Sequence, residues 1–365
     1  MPCYAWAPMG GFRVTFEYAN SLVARGHEVT VVHPRRLKDP GYLPEESAWR
    51  WTLNKMFNIF EVFLKPTISW LEVDKRVRLE YVPSSDARHI PDGDALIATS
   101  WTAVRSVLEC PPSKGEKFNL IQGYGPWMGP KELIDRTWCA PIHKIVVSRW
   151  LLEISKELGL EEVVYIPNGI NHQRYRVTQA IEDRPRQAAM LYSTVDSKGS
   201  ADGFEALRIA REKFPELKII AFGTSRRRGW VPDWVEYHRN PAQDFIVNEI
   251  YNQSQIFVSP SWSEGFGLPP AEAAACGCAI VATDSGGIRD FVEHGVTGLL
   301  SPPKDPAALA TILCAVLENE KLRVRLAKAC NKSVASLTWE RSTDLLEDFL
   351  TRLTKKRLDL ARVPS

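Results

Sequence analysis

Residues 264–272 read Glu264-Gly265-Phe266-Gly267-Leu268-Pro269-Pro270-Ala271-Glu272, and this stretch decides the fold. Ahead of it an apolar run with strand character, Gln255-Ile256-Phe257-Val258, feeds the loop Ser259-Pro260-Ser261-Trp262-Ser263. Proline suits the first positions of a helix, because the amide hydrogen it lacks would be unpaired there anyway. Pro269-Pro270 therefore predicts a short helix from Ala271 to Cys276, stopped by Gly277. A second strand-like run, Ala279-Ile280-Val281-Ala282, follows. The order is strand, glycine-rich loop, helix start, strand.

That order puts backbone N–H groups and the positive end of a helix dipole at the mouth of a parallel sheet, where phosphates bind. Two carboxylates bracket the loop: Glu264 before the glycines and Glu272 in the expected first turn of the helix. A carboxylate does not usefully hold a phosphate, but it accepts hydrogen bonds from hydroxyls. The pair suggests a ligand carrying both phosphates and sugars. Taken singly, each reads as an ordinary surface or first-turn acid.

The two glutamates eight positions apart resemble the E-x(7)-E signature of retaining glycosyltransferases of the GT-B fold, family 4. The match continues through Ala273-Ala274-Ala275-Cys276-Gly277, Val281-Ala282-Thr283-Asp284-Ser285-Gly286-Gly287 and His294-Gly295-Val296-Thr297-Gly298. The resemblance implies an α/β chain of two Rossmann-like domains, with parallel sheets facing a central cleft. It implies that Glu272 binds ribose hydroxyls, that Glu264 lies against the donor sugar, and that amides of Phe266, Gly267 and Leu268 face sugar and diphosphate. In the family an arginine and a lysine after the first strand of the second half grip the diphosphate. Lys198-Gly199 matches the lysine, and Ser193 takes the arginine's place. Arg226-Arg227-Arg228, after the strand closed by Gly223, either restores that charge or is simply solvated. The segment Tyr237 to Asp244 is expected to edge the nucleobase.

The 365 residues suffice for two α/β domains, and 46 basic against 44 acidic residues give a charge of +2, so no nucleic-acid partner is implied. Seven scattered cysteines argue for reduced thiols and a cytoplasmic setting. Cys276-x-Cys278 has no matching second pair to make a metal site. No apolar run reaches the ~18–20 residues of a membrane span, and no secretory signal is visible.

In the first half, Gly10-Gly11 precedes a helix expected from Arg13 to Arg25, closed by Gly26, and a strand from Glu28 to Val32. A β-α-β unit calls for a complete strand ahead of the glycines. Here either Met1 lies inside that strand or the strand is very short. Leu53, Met56, Phe57, Phe60, Phe63 and Leu64 predict an amphipathic helix flanked by Trp49, Trp51 and Trp70. It is either packed on the sheet or an acceptor-binding or peripheral membrane surface. Asp92-Gly93-Asp94 reads as a strand start rather than a metal site. Phe118 to Ile121 is a strand ending in Gln122-Gly123-Tyr124-Gly125, on the ligand side of the sheet. Where many family members carry a histidine, this chain has none, which leaves Gln122 and Tyr124, with Gly10 and Gly11, as acceptor-side candidates. Lys144 to Ser148 is the next strand, with Ser148 capping a helix from Arg149 to Leu158. Pro167-Asn168-Gly169 resembles the family's interdomain linker.

The expected division is 1–168 plus a returning helix 340–365, and 169–339, with Thr178 to Gln187 a polar linker. The expected function is transfer of a sugar from a UDP-, GDP- or dTDP-sugar to a sugar or lipid-linked acceptor, with retention and without a metal or other cofactor. The alternatives are a non-catalytic nucleotide-sugar-binding protein on the same fold and a glycoside hydrolase or phosphorylase. A hydrolase needs carboxylates on both sides of one bond.

Overall fold

The computed structural model describes residues 8–35, 68, 70–125 and 128–361. The expected helix around Leu53 to Leu64, with Trp49 and Trp51, lies outside the described residues, as do Met1 to Ala7. The chain divides into two compact units. One comprises Met1–Val146, Leu152–Ile166 and Thr343–Ser365; the other comprises Val147–Leu151 and Pro167–Ser342.

The first unit opens on helix α1 (Gly10–Ala24) and strand β1 (Thr30–Pro34). Phe12, Phe16, Ala19 and Val23 recur at three- and four-residue steps, so one face of α1 is apolar and packs with Val31 and Val77. Gly10 and Gly11 form the first turn of α1 itself, not a turn ahead of it. At the other end Gly26, at φ 93°, and the His27 amide bonded back to the Leu22 carbonyl (3.1 Å) prolong the helix end. The strand consequently starts at Thr30 rather than Glu28. It pairs in parallel with β2 (Arg78–Val82), from Thr30↔Arg78 to Pro34↔Val82. A separate parallel sheet runs β3 (Ala95–Ala98), β4 (Glu116–Ile121), β5 (His143–Val146), β6 (Val163–Tyr165). Parallel neighbours need crossovers, supplied by α2 (Trp101–Leu108), α3 (Lys131–Trp138) and α4 (Arg149–Glu157). The Ser148 hydroxyl accepts from the Leu151 amide (3.3 Å) as the cap of α4.

The second unit is a six-stranded parallel sheet. Its strands are β7 (Gln187–Leu191), β8 (Lys218–Gly223), β9 (Val235–Arg239), β10 (Ile256–Ser259), β11 (Ala279–Thr283) and β12 (Gly298–Ser301), in the order β12-β11-β10-β7-β8-β9. The chain leaves β7 toward β8 and β9, and leaves β10 toward β11 and β12. Loops at the carboxyl ends of β7 and β10 thus diverge, which is where open α/β sheets bind ligands.

Helices α5 (Ser200–Lys213), α6 (Leu268–Ala275), α7 (Pro306–Glu318), α8 (Glu320–Val334) and α9 (Trp339–Ala361) complete the chain. Phe204, Leu207, Ala210 and Phe214 enter one core with Val258, Val281 and Leu313, as their spacing predicts. Helix α6 starts three residues before Ala271, because Gly267 at φ 94° takes the cap position and both prolines fall inside the first turn. After β9 a single turn, Gln243–Phe245, widens into a π-helix, Ile246–Tyr251.

Thr178 to Gln187 is polar, with Thr178, Ala180, Glu182, Asp183 and Pro185 exposed, but two of its residues are buried. Ile181 joins the core, and the buried Arg184 guanidinium donates to the carbonyls of Tyr251 (3.2 Å), Ser254 (3.0 Å), Gln179 (3.1 Å) and Cys276 (2.6 Å). A buried charge needs such partners. Among the described residues no helix is long and apolar enough to cross a membrane.

Candidate functional site

The site is built where β7 and β10 end. After β7 the chain makes a 3-10 turn, Asp196–Lys198, and closes it with Gly199 in left-handed backbone. This directs Lys198 to the neighbouring loop, where its Nζ donates to Oε1 and Oε2 of Glu264, 2.8 Å each. The Ser261 hydroxyl donates to Oε1 at 2.7 Å. Glu264 is also fastened through its main chain: its amide donates to the Ser285 carbonyl (2.8 Å) and its carbonyl accepts from the Gly287 amide (3.1 Å). The ion pair is only partly shielded, with the Lys198 side chain 33% exposed and that of Glu264 15%, so water weakens it.

Past Glu264, the amides of Gly265, Phe266, Gly267 and Leu268 donate to no other group among the described residues. They lie at the amino end of α6, the positive end of its dipole. The Phe266 ring is buried against Phe291, centroids 5.7 Å apart, which anchors the loop from below. Because α6 begins at Leu268, Glu272 stands in its second turn, not its first. It is 6% exposed, and the Tyr251 hydroxyl donates to its Oε2 at 3.5 Å.

The remaining candidates divide. Ser193 shapes its loop: its amide donates to the Ser200 hydroxyl (3.0 Å) and its own hydroxyl accepts from the Val195 amide (3.1 Å). Gly223 ends β8 where a β-carbon would lie 2.1 Å from the Tyr192 carbonyl, so no larger residue fits. Arg226 is exposed on the next loop; its carbonyl accepts from the Tyr192 hydroxyl (3.3 Å), and no hydrogen bond or ion pair joins its guanidinium to Glu264. Arg227 is turned to the Pro232 carbonyl (2.8 Å) and Asp233. Along Tyr237 to Asp244, Asn240 at φ 49° ties the end of β9 to β8 through the Gly223 carbonyl (2.8 Å).

In the first unit, Gln122 Nε2 donates to the carbonyls of Gly11 (3.3 Å) and Thr99 (3.2 Å). The Tyr124 hydroxyl donates to Asp135 (2.8 Å), and burial and that carboxylate raise its pKa. Gly11 thus meets Gln122, while Gly10 opens α1 beside it in sequence, and Tyr124 stands apart with Asp135 and Lys131. Asp92 pairs with Lys114 (2.8 Å) just ahead of β3. Cys276 and Cys278 are both buried.

Sequence reading missed Ser261 and Tyr251. Ser261 was accessible, being three residues from Glu264 in one loop. Tyr251 gave no signal, since the π-helix that turns it toward α6 breaks the regular helical period.

An open parallel sheet with a lysine and a helix amino end at its switch point is the arrangement at which α/β sheets bind ligands. Residues 171–333, within the second unit, match the family model of the glycosyl transferases group 1. Glycogen synthase of Mycobacterium tuberculosis is 28% identical over 218 residues, covering 56% of this chain and 52% of the relative. The chain therefore spans about half the length of that relative. Sucrose-phosphate synthase from Thermosynechococcus elongatus matches with a TM-score of 0.70 at 18% identity, covering 95% of this chain and 94% of that one. Anabaena Alr3699/HepE, solved with UDP and glucose, matches with a TM-score of 0.69 at 14% identity, covering 95% and 97%. These likenesses show the fold, which is GT-B.

Proposed function

We propose that this chain is a retaining glycosyltransferase that moves a sugar from a nucleoside-diphosphate sugar to a hydroxyl of a glycan, lipid or small-molecule acceptor, without a metal. The observation that supports the reading best is Lys198 beside Glu264, in front of the unpaired amides that open α6. A diphosphate placed there meets one ammonium, several N–H donors and the helix dipole, all positioned before reaction. Glu264 is acidic and close, so it suits the sugar's hydroxyls, and the buried Glu272 suits the ribose.

In the step itself, the acceptor oxygen bonds to the anomeric carbon as the bond from that carbon to the phosphate oxygen breaks. The acceptor proton passes to the departing phosphate oxygen on the same face, so the products are glycoside and nucleoside diphosphate with the configuration kept. Lys198 and the amides stabilise the charge growing on the leaving group. A neighbour solved with UDP and glucose makes a UDP-sugar the first donor to try.

The test is release of nucleoside diphosphate from UDP-, GDP- and dTDP-sugars with and without chelator, and the anomeric configuration of the product by NMR. An inverted product, or turnover abolished by chelator, would overturn the mechanism. One observation favours a second reading, nucleotide-sugar binding without transfer: Gln122 and Tyr124 both commit their polar atoms within the first unit. Donor binding with no turnover across a broad acceptor panel would select it. We place the protein in the cytoplasm, a reading supported by the absence of any disulfide among the described cysteines.

A further inference from the structure

We propose that Trp262 is a positioning residue of the donor site: it grips the chain on both sides of Lys198 and so sets where the Lys198 ammonium stands. The inference rests on Lys198 being the cation that meets the diphosphate.

A lysine is a point charge on a flexible four-carbon stem, so its place depends on how firmly its backbone is held. The pair with Glu264 does not supply that hold alone. It is partly exposed and weakened by water, and a sugar at Glu264 competes for the same carboxylate. Trp262 supplies a second hold. Its amide donates to the carbonyl of Ser197, the residue before Lys198, at 2.8 Å. Its indole Nε1 donates to Oδ2 of Asp202, four residues past Lys198, at 2.6 Å. One residue thus spans 198–201 with its backbone amide at one end and its side chain at the other. Gly199 lies against the span, where a β-carbon would stand 3.2 Å from Nε1.

Each end of the span is fixed in turn. Asp202 falls in the first turn of α5, where the helix dipole favours a carboxylate. A carboxylate acceptor also makes the bond from the indole one of the stronger kind. Trp262 stands two residues before Glu264, so one short segment carries both the clasp and the carboxylate that Lys198 meets. Over the face of the indole, 4.5 Å from its ring, lies the Lys304 ammonium. Lys304 has left-handed backbone, φ 62°, immediately before Asp305, whose carboxylate caps α7 by accepting from the Ala308 amide (2.9 Å). The segments that follow β7, β10 and β12 therefore meet at this one indole.

The test compares Trp262→Phe, which keeps a ring and the main-chain bond and loses the indole donor, with Asp202→Ala and Asp202→Asn. Amide exchange of the ligand-free protein reads the loop, and calorimetry with UDP, GDP and dTDP reads the site. Each variant is made with Lys198 and with Lys198→Ala. Trp262→Phe and Asp202→Ala should each speed exchange at Gly199 by ~10-fold. Each should weaken the tightest-binding diphosphate by about five- to tenfold. Asp202→Asn, whose amide oxygen still accepts, should recover most of that loss. With Lys198→Ala neither substitution should weaken binding further, since no ammonium is left to place. Equal losses with and without Lys198 would make Trp262 a support of the fold and overturn the inference, as would unchanged exchange at Gly199. If exchange changes as expected but Lys198→Ala leaves every diphosphate bound as before, or none binds at all, the donor-site reading is wrong and the inference falls with it.

Discussion

The carbonyl oxygen of Pro260 stands 2.0 Å from the point where a β-carbon on Gly199 would lie, and Gly199 has φ 59°. The two loops that carry Lys198 and Glu264 therefore meet backbone to backbone, beside the ion pair of those side chains and the Trp262 amide that donates to the Ser197 carbonyl (2.8 Å). Gly199→Ala should lose ~1–2 kcal/mol to the left-handed backbone, with more from the overlap. Urea unfolding measures it. A loss well under 1 kcal/mol would mean that the loops separate easily and that their contact does not position Lys198.

Glu264 pairs with the Lys198 ammonium. Glu264→Gln should free the ammonium and tighten binding of a nucleoside diphosphate two- to fivefold, a gain of ~0.4–1 kcal/mol in the range of partly exposed pairs. Turnover with the full donor should fall, because the sugar contact is lost. Lys198→Ala should weaken the diphosphate and cost ~10²–10³-fold in kcat, as for a lost oxyanion donor. Calorimetry with the diphosphate and kinetics with the donor separate the two. Weaker diphosphate binding by Glu264→Gln would remove Glu264 from the sugar side.

Glu272 is fixed in a buried helix with the Tyr251 hydroxyl beside it. Glu272→Gln should weaken nucleoside binding and the donor's KM alike with kcat little changed, since ribose contacts are equal in ground and transition states. Binding of inorganic diphosphate, which has no ribose, should be unaffected. Equal losses for both ligands would point to a structural role instead.

The second unit was largely legible because each of its signals is local. The double proline, the glycines and the four-residue apolar runs fix a loop, a helix start and buried strands within a dozen residues. Errors arose where a distant contact decides. Arg184 looks like linker polarity until its four carbonyl partners, up to 92 positions away, are known. Glu272 moved by one turn because Gly267, not Pro270, caps α6. In the first unit Gln122 and Tyr124 follow a strand end, and sequence says no more of them than that. What they bond to depends on Gly11 and Asp135, which no spacing rule connects to them.

Arg184→Ala would remove the guanidinium from all four carbonyls, with those of Tyr251 and Ser254 keeping the Cys278 thiol beside them. The expected cost is ~3–5 kcal/mol, the range for breaking a buried charged network, read as a drop in the urea midpoint with unchanged slope. Arg184→Lys should recover only part of it, since one ammonium cannot reach acceptors laid out for a planar fork. Full recovery by lysine would show that charge, not geometry, is what the site requires.

Burial pushes the Cys278 thiol from 9.0 up to about 12, and raises Cys276 and Cys330 in the same direction. Between pH 9 and 12 the unfolded chain holds fewer protons than the fold, so stability is complete below pH 9 and falls as pH rises. The slope approaches ~1.4 kcal/mol per pH unit for each buried thiol. Cys278→Ala should make the decline shallower. An identical alkaline slope in wild type and variant would assign it to other groups.

Helix α6 presents its amino end to the proposed ligand, and Ala271, Ala273, Ala274 and Ala275 are almost wholly inaccessible. Behind it, Asn331 of α8 donates to the Ala274 (3.0 Å) and Ala275 (2.8 Å) carbonyls. The helix is a wedge driven between neighbours, with no room to slide or roll. Each added methylene on its rear should cost ~1–3 kcal/mol through overpacking. A saturation library would thus find the recognition loop constrained from its blind side as firmly as from its open one. Alanines behind the loop would tolerate change as poorly as the two glutamates proposed to hold the donor.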